Sequence, residues 1–307
     1  MEKRDTSCIH ALSSTVDESA VAEGEGDIRQ WEVAEGEDCN VKFSLKSNVE
    51  FWEEHLKPSQ FVLNVIRHGY LLPLTKIPTP FYAKNNKSAL RHPKFVGEAI
   101  ENLLKGGLVE ELSRPAYCSN PLTVAEKGKL RLVLDLRHVN ALLHIKRFKY
   151  EDLKIVAELF DENDYFIRFD LTSAYHHIDV HPEHQKYLGF HWSFDGETER
   201  FFKFTVLAFG LATAGHAFTK VARPLTKRWR GQGIKSILFL DDGIAAQRTA
   251  QLTKRAAENI EGDLKRAGFH INYEKSDFMP KQEGRWLGVI INTKTMNFYV
   301  PREKSKK

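Results

Sequence analysis

Ser236-Ile237-Leu238-Phe239-Leu240-Asp241-Asp242-Gly243-Ile244 runs an apolar stretch straight into two adjacent carboxylates and a glycine. A short apolar run bounded by polar residues predicts a buried strand. Asp241-Asp242-Gly243 has the chemistry of a tight hairpin turn. Two acids then stand on a turn tip that a buried strand holds rigid. Taken alone, the stretch reads as a plain Asp-Gly turn before it reads as a metal site. Hard cations such as Mg²⁺ take one or two carboxylates from protein and fill the octahedron with phosphate and water. The metal site therefore needs a third acid on a neighbouring strand.

Asp164-Tyr-Phe-Ile-Arg-Phe-Asp170 supplies it, since Tyr165, Ile167 and Phe169 alternate with Phe166, Arg168 and Asp170 as a strand requires. Upstream, Asn120–Ala125 and Leu130–Leu136 flank Glu-Lys-Gly-Lys129, a strand–turn–strand with Lys129 and Arg131 at its basic tip. Phe95, Val96, Ile100, Leu103 and Leu104 predict a helix that Gly106-Gly107 stops. Asp152 caps a short helix through Phe160, and Thr249 caps a long one that Gly268 closes. A helix from Thr213 to Trp229 is expected in two pieces around Pro224. Asn48–Trp52 and the residues after Pro58 predict short helices of an extended arm, broken at Pro73, Pro78 and Pro80. His177, His181 and His184 could be zinc ligands, but no cysteine lies nearby and no zincin spacing is present.

The 42% hydrophobic and 28% charged balance is that of a globular chain. Cys8, Cys39 and Cys118 are odd in number and far apart, which suggests a reducing, intracellular setting in cytoplasm or nucleus. The opening residues lack the pattern of a signal peptide, no apolar run reaches membrane-spanning length, and no membrane partner is expected. The net charge of +4 conceals an asymmetry. Residues 17–38 carry nine acids against the single Arg29, so the remainder is strongly basic and suits a polyanion partner. The acidic leader, residues 1–45, reads as disordered.

The element order fits an α+β fold with an antiparallel sheet and packed helices. Three carboxylates, a basic hairpin and a basic body are what in-line phosphoryl transfer between two metal ions requires.

In this combination the chain resembles reverse transcriptases of retrotransposons, most closely the DIRS/Ngaro type that integrates with a tyrosine recombinase. The resemblance covers Trp52 to Lys307. Lys129-Leu-Arg131-Leu-Val-Leu-Asp135-Leu-Arg137-His-Val-Asn140 resembles the fingers hairpin, which implies triphosphate binding by Arg131 and Lys129. Phe169-Asp170-Leu-Thr-Ser-Ala-Tyr175 resembles the first catalytic motif, which implies a metal ligand at Asp170 and a steric gate against ribose at Tyr175. Leu207-Ala208-Phe209-Gly210-Leu211 is similar to the Leu-Pro-Phe-Gly-Leu motif, with Phe209 and Gly210 at template and nucleotide and Ala208 in place of proline. Phe239-Leu240-Asp241-Asp242 resembles the Tyr-x-Asp-Asp box, which implies two further ligands, Asp241 and Asp242. Lys275 falls on the lysine suggested as general acid, and Trp286-Leu287-Gly288 resembles the primer grip.

The resemblance implies a right-hand polymerase-like fold. It also implies a division into the leader, a helical arm over residues 46–90, and fingers and palm over residues 91–307, with thumb and RNase H absent. The implied cofactor is Mg²⁺, two ions, with Mn²⁺ as substitute. The implied partners are an RNA or DNA template with its primer, dNTPs, and the RNase H and recombinase domains of a parent polyprotein. The implied function is RNA-directed DNA polymerase. A catalytically inactive nucleic-acid-binding relic of a retroelement is the alternative, and another two-metal nuclease or nucleotidyltransferase a third.

Overall fold

The computed structural model describes residues 41–301 except Lys127, Arg147 and Asp195. All belong to one of the two units into which the chain divides, Glu32–Lys307. Most of the acidic leader (residues 1–40) and the basic tail from residue 302 lie outside the described residues.

Along the chain, the arm contains α1 (Gln60–His68), capped at Ser59, so that Pro58 precedes the helix rather than opening it. Strand β1 (Phe81–Tyr82) follows the three prolines. Helix α2 (Pro93–Lys105) has Pro93 in its first turn, where the missing N–H costs no hydrogen bond. Then come β2 (Val109–Leu112), β3 (Cys118–Ser119), β4 (Leu122–Ala125) and β5 (Arg131–Leu134). Helix α3 (Leu153–Leu159) is capped by Asp152, whose carboxylate accepts from the Lys154 N–H at 2.9 Å. Strands β6 (Tyr165–Asp170), β7 (Gly189–Trp192) and β8 (Arg200–Phe204) lead to α4 (Ala214–Gly231). Strands β9 (Lys235–Phe239) and β10 (Asp242–Gln247) precede α5 (Ala250–Ala267). Thr249 accepts from the Leu252 N–H, and Gly268 ends α5 at φ 88°. Strands β11 (Asp277–Lys281), β12 (Glu283–Trp286), β13 (Val289–Asn292) and β14 (Asn297–Tyr299) complete the described chain.

The central sheet has the order β11-β6-β10-β9 and is antiparallel throughout. Successive residues on a strand face opposite sides, and the burial follows that rule. Ile167, Phe169, Leu238 and Ala245 join the main core with Phe218 and Trp229 of α4 and Ile260 and Leu264 of α5. Phe166, Ile237, Ile244 and Ala246 join a second core with Val156, Phe160, Trp286 and Ile291. A five-stranded sheet, β1-β3-β7-β8-β2, and the β4–β5 hairpin stand apart from the central sheet. The arm is fastened by Trp52, which is fully buried and donates its indole N–H to the Ala267 carbonyl at 2.9 Å.

Two local expectations are corrected. Helix α4 runs unbroken through Pro224. Its long apolar face, from Phe218 to Trp229, is packed in the core and offsets the hydrogen bond that proline removes. The hairpin turn lies one residue earlier than Asp-Asp-Gly suggests. Leu240 and Asp241 form it, with Leu240 at φ 53°, and Asp242 already opens β10 opposite Phe239. Gly243 serves packing instead. A Cβ there would stand 2.1 Å from the ring of Phe169, its partner on β6.

Gly243→Ala is expected to lower stability by about 1–3 kcal/mol, the usual penalty of overpacking. Urea unfolding should show a lower midpoint at unchanged slope. An unshifted midpoint would contradict the ring contact.

Candidate active site

β6 and β10 pair in a register that sets Asp170 opposite Asp242. Paired residues project from the same face of a sheet, so both carboxylates belong to the face of Phe166 and Ile244. Asp241 occupies the turn beside them, and its carbonyl accepts from the Leu171 N–H at 2.9 Å. The end of β6 is also tied to the loop after α5. The Asp170 N–H donates to Ser276 Oγ at 3.0 Å, and the Asp170 carbonyl accepts from the Asn272 N–H at 2.9 Å. Ser276 Oγ in turn donates to the Asn272 carbonyl at 2.6 Å. Lys275 sits inside this pinned loop, its own N–H donating to Asn272 Oδ1 at 3.2 Å.

Among the described residues, no three of His, Cys, Asp or Glu form a ready-made metal cage. A Mg²⁺ site does not need one, because phosphate and water oxygens supply most of its octahedron. Carboxylate oxygens are the donors that hard ions of this kind prefer. Asp170, Asp241 and Asp242, carried on adjoining strand ends, fit that chemistry.

Tyr175 follows Asp170 in a short 3₁₀ turn, Ala174–His177. Its ring lies 5.0 Å from that of Phe209 and 6.1 Å from that of Phe218. Burial, with lesser contributions from Tyr150 and Asp241, pushes its phenol well above the ordinary value, so the hydroxyl stays protonated. Tyr150 was not anticipated from the sequence. Its ring is 5.2 Å from Phe239, and its hydroxyl fills the space over Gly215, where a Cβ would be 2.2 Å away. The Tyr175 hydroxyl reaches the same point, 3.3 Å from that position. An aromatic residue far from Tyr175 in the chain gives no sequence signal of this meeting. The neighbouring Glu151 is clamped by Arg230, whose guanidinium also donates to the Ser236 carbonyl on β9 at 2.8 Å.

Phe209 and Gly210 are stitched to the basic hairpin. The Leu134 N–H donates to the Phe209 carbonyl at 3.1 Å, and Asn140 Nδ2 to the Gly210 carbonyl at 2.8 Å. Gly210, at φ 98°, admits no side chain, since a Cβ would fall 2.0 Å from the Leu134 carbonyl oxygen. The β4–β5 hairpin that starts from this seam carries Arg131, paired with Ala125, and Lys129 toward its far end.

Trp286, Leu287 and Gly288 make the turn of the β12–β13 hairpin, with Leu287 at φ 47° and Gly288 at φ 78°. The Trp286 side chain is buried in the second core with Ile237 and Ile244, so Leu287 and Gly288 form the tip. The three histidines considered for zinc face different partners. His177 Nε2 accepts from the His270 N–H at 3.0 Å, and His184 Nδ1 from the Leu72 N–H at 2.9 Å. His181 Nδ1 caps Pro182–Gln185.

A family model described as reverse transcriptase (RNA-dependent DNA polymerase) matches residues 120–291. The chain is 21% identical over 251 residues to the transposon Tf2-3 polyprotein of Schizosaccharomyces pombe, covering 82% of this chain and 18% of that one. It is 25% identical over 207 residues to the retrovirus-related Pol polyprotein from transposon 412 of Drosophila melanogaster, covering 65% and 16%. The chain thus spans less than a fifth of the length of these relatives. Among solved structures, the foamy viral protease-reverse transcriptase in complex with dsDNA aligns with a TM-score of 0.62 at 22% identity, covering 77% of this chain and 48% of that one. The same enzyme in complex with an RNA/DNA hybrid aligns at 0.64 and 20%, covering 77% and 31%. The fold is therefore the right-hand polymerase type, with the central antiparallel sheet as its palm.

Below the site, burial brings the His176 and His177 imidazoles down to about 3. Unfolded histidine titrates near 6.5, so the unfolded chain binds more protons at mildly acidic pH. Stability from this source is complete above about 6.5 and is lost as the pH falls toward 3. Urea unfolding from pH 7 to 5 should steepen by up to about 1.4 kcal/mol per pH unit for each histidine, relative to His176→Gln/His177→Gln. Parallel profiles for the two proteins would contradict neutral burial.

Proposed function

The chain belongs to the reverse transcriptase family, and from that premise we propose that it adds deoxynucleotides to a primer 3′-hydroxyl as an RNA-directed DNA polymerase. The observation that carries the reading is the register of β6 and β10, with Asp170 opposite Asp242 and Asp241 at the adjoining turn. The fingers and palm are assigned to residues 91–307 and the arm to residues 46–90. The finer kinship with DIRS/Ngaro-type elements rests on the motif series from Lys129 to Gly288.

Asp170, Asp241 and Asp242 are the residues to hold two Mg²⁺ ions, or Mn²⁺, which when bound lower the pKa of the primer hydroxyl and neutralise charge on the leaving pyrophosphate. The chain's own part is positioning and electrostatics. Arg131 and Lys129 draw in the triphosphate from the fingers hairpin, and the guanidinium suits bidentate contact with phosphate. Tyr175 bars a ribose 2′-hydroxyl by its bulk, since its phenol is held protonated among Phe209 and Phe218. Phe209 and Gly210 form the floor under the nascent pair. Lys275 gives a proton to the departing pyrophosphate, from a loop fixed to the Asp170 backbone. Leu287 and Gly288, anchored by the buried Trp286, set the primer end over the carboxylates. RNA or DNA template with primer, dNTPs, and RNase H and recombinase domains of a parent polyprotein are the partners, in an intracellular setting.

The test is primer extension on an RNA template with dNTPs and Mg²⁺, beside Asp241→Asn/Asp242→Asn. Extension that the variant loses supports the polymerase. Salt-sensitive duplex binding without extension supports the relic. Asp241→Asn alone should abolish addition with primer–template affinity nearly intact, and equal loss of both would remove its role as ligand. Tyr175→Ala should admit ribonucleotides, and unchanged sugar discrimination would remove the gate.

A further inference from the structure

Gly215 stands buried in the first turn of α4. Its φ lies outside the left-handed region that favours glycine. Glycine in a helix is unfavourable relative to alanine, so the residue answers to packing rather than to its own backbone. A Cβ at this position would fall 2.2 Å from the Tyr150 hydroxyl oxygen and 3.3 Å from that of Tyr175. The missing methyl leaves a slot, and the Tyr150 hydroxyl fills it.

Tyr150 precedes α3 and is anchored from several sides. Its ring is 5.2 Å from that of Phe239, two residues before Asp241, and 4.5 Å from that of Phe148. The next residue, Glu151, accepts from Arg230 Nη1 at 2.9 Å, and Arg230 Nε donates to the Ser236 carbonyl on β9 at 2.8 Å. Tyr150 is therefore tied both to α4 and to the strand that leads into the acids. Tyr175 has the rings of Phe209 and Phe218 beside its own, at 5.0 and 6.1 Å. At its hydroxyl end it meets Tyr150 over Gly215.

We propose that Tyr150 is a positioning residue for sugar discrimination: its hydroxyl, seated in the Gly215 slot, stops Tyr175 from swinging away from the incoming nucleotide. The inference rests on the reading of Tyr175 as the barrier to a ribose 2′-hydroxyl. Tyr150 acts through Tyr175, and the effect is steric. Close-packed side chains leave few voids larger than water, so Tyr175 turns only where a neighbour gives way. Loss of the Tyr150 hydroxyl opens such room. A ribose, one oxygen larger than deoxyribose, then finds space.

The experiment is a cycle of Tyr150→Phe, Gly215→Ala and their double variant in the full chain. Each protein is scored by single addition of a deoxynucleotide and of the matching ribonucleotide, and by thermal melting. Tyr150→Phe should raise the ribo-to-deoxy ratio of kcat/KM about tenfold, the size of coupling between touching residues. The change should lie in ribonucleotide addition, whereas general damage would lower both sugars alike. Gly215→Ala should raise the ratio too, by displacing the phenol. It should also lower the melting temperature, although alanine for glycine at a compatible helix position raises it. In the double variant the methyl at position 215 takes the place of the lost hydroxyl, 3.4 Å from the ring carbon that carried it. Selectivity and melting temperature should both return toward wild type. Tyr175→Ala is the control. If it admits ribonucleotides while the cycle leaves the ratio unchanged, or the double variant is not rescued, the role of Tyr150 is overturned and the gate stands. If Tyr175→Ala leaves sugar discrimination unchanged, the gate reading falls and the role of Tyr150 falls with it. A wild type that adds no nucleotide removes both.

Discussion

The ring of Phe169 lies across Gly243 with no room for a Cβ between them. That contact depends on one register of β6 against β10, and a slip by one residue would turn every side chain to the opposite face. The cost of a slip would be severe on both sides. Phe169, Ile167 and Ala245 would leave the core shared with α4 and α5, while Phe166 and Ile244 would leave the one shared with Trp286. The double burial therefore fixes the register. The register in turn sets Asp170 opposite Asp242, two like charges that an ordinary sheet avoids placing together.

The rest of the site is held to this pair by hydrogen bonds that run to the backbone. Ser276 and Asn272 fasten the Lys275 loop to Asp170. The Leu134–Phe209 and Asn140–Gly210 bonds fasten the basic hairpin to the floor under Tyr175. Such bonds fix position within a narrow range of distance and angle.

Much of this was legible in the chain. The alternation in Tyr165–Asp170, the apolar run before Asp241, and the caps at Asp152, Thr249 and Gly268 are local signals with local causes, and each produced the expected element. The misreadings share one origin. Asp-Asp-Gly looked like a turn because glycine is usually a turn residue, yet this glycine answers to Phe169, more than seventy positions away in sequence. Pro224 looked like a break, yet the buried face of α4 overrides it. Tyr150 and Gly215 left no local pattern, because their meeting with Tyr175 arises only when α4 packs behind the 3₁₀ turn.

The sequence by itself determined the types of the main elements and the α+β architecture with its antiparallel central sheet, because hydrophobic periodicity and capping act over a few residues. Tertiary structure alone decided which acids face each other, which residue makes the turn, and that Trp286 is an anchor while Leu287 and Gly288 form the tip. These are matters of non-local packing. Burial on two faces of one sheet selects a single register, and no window of sequence contains both faces.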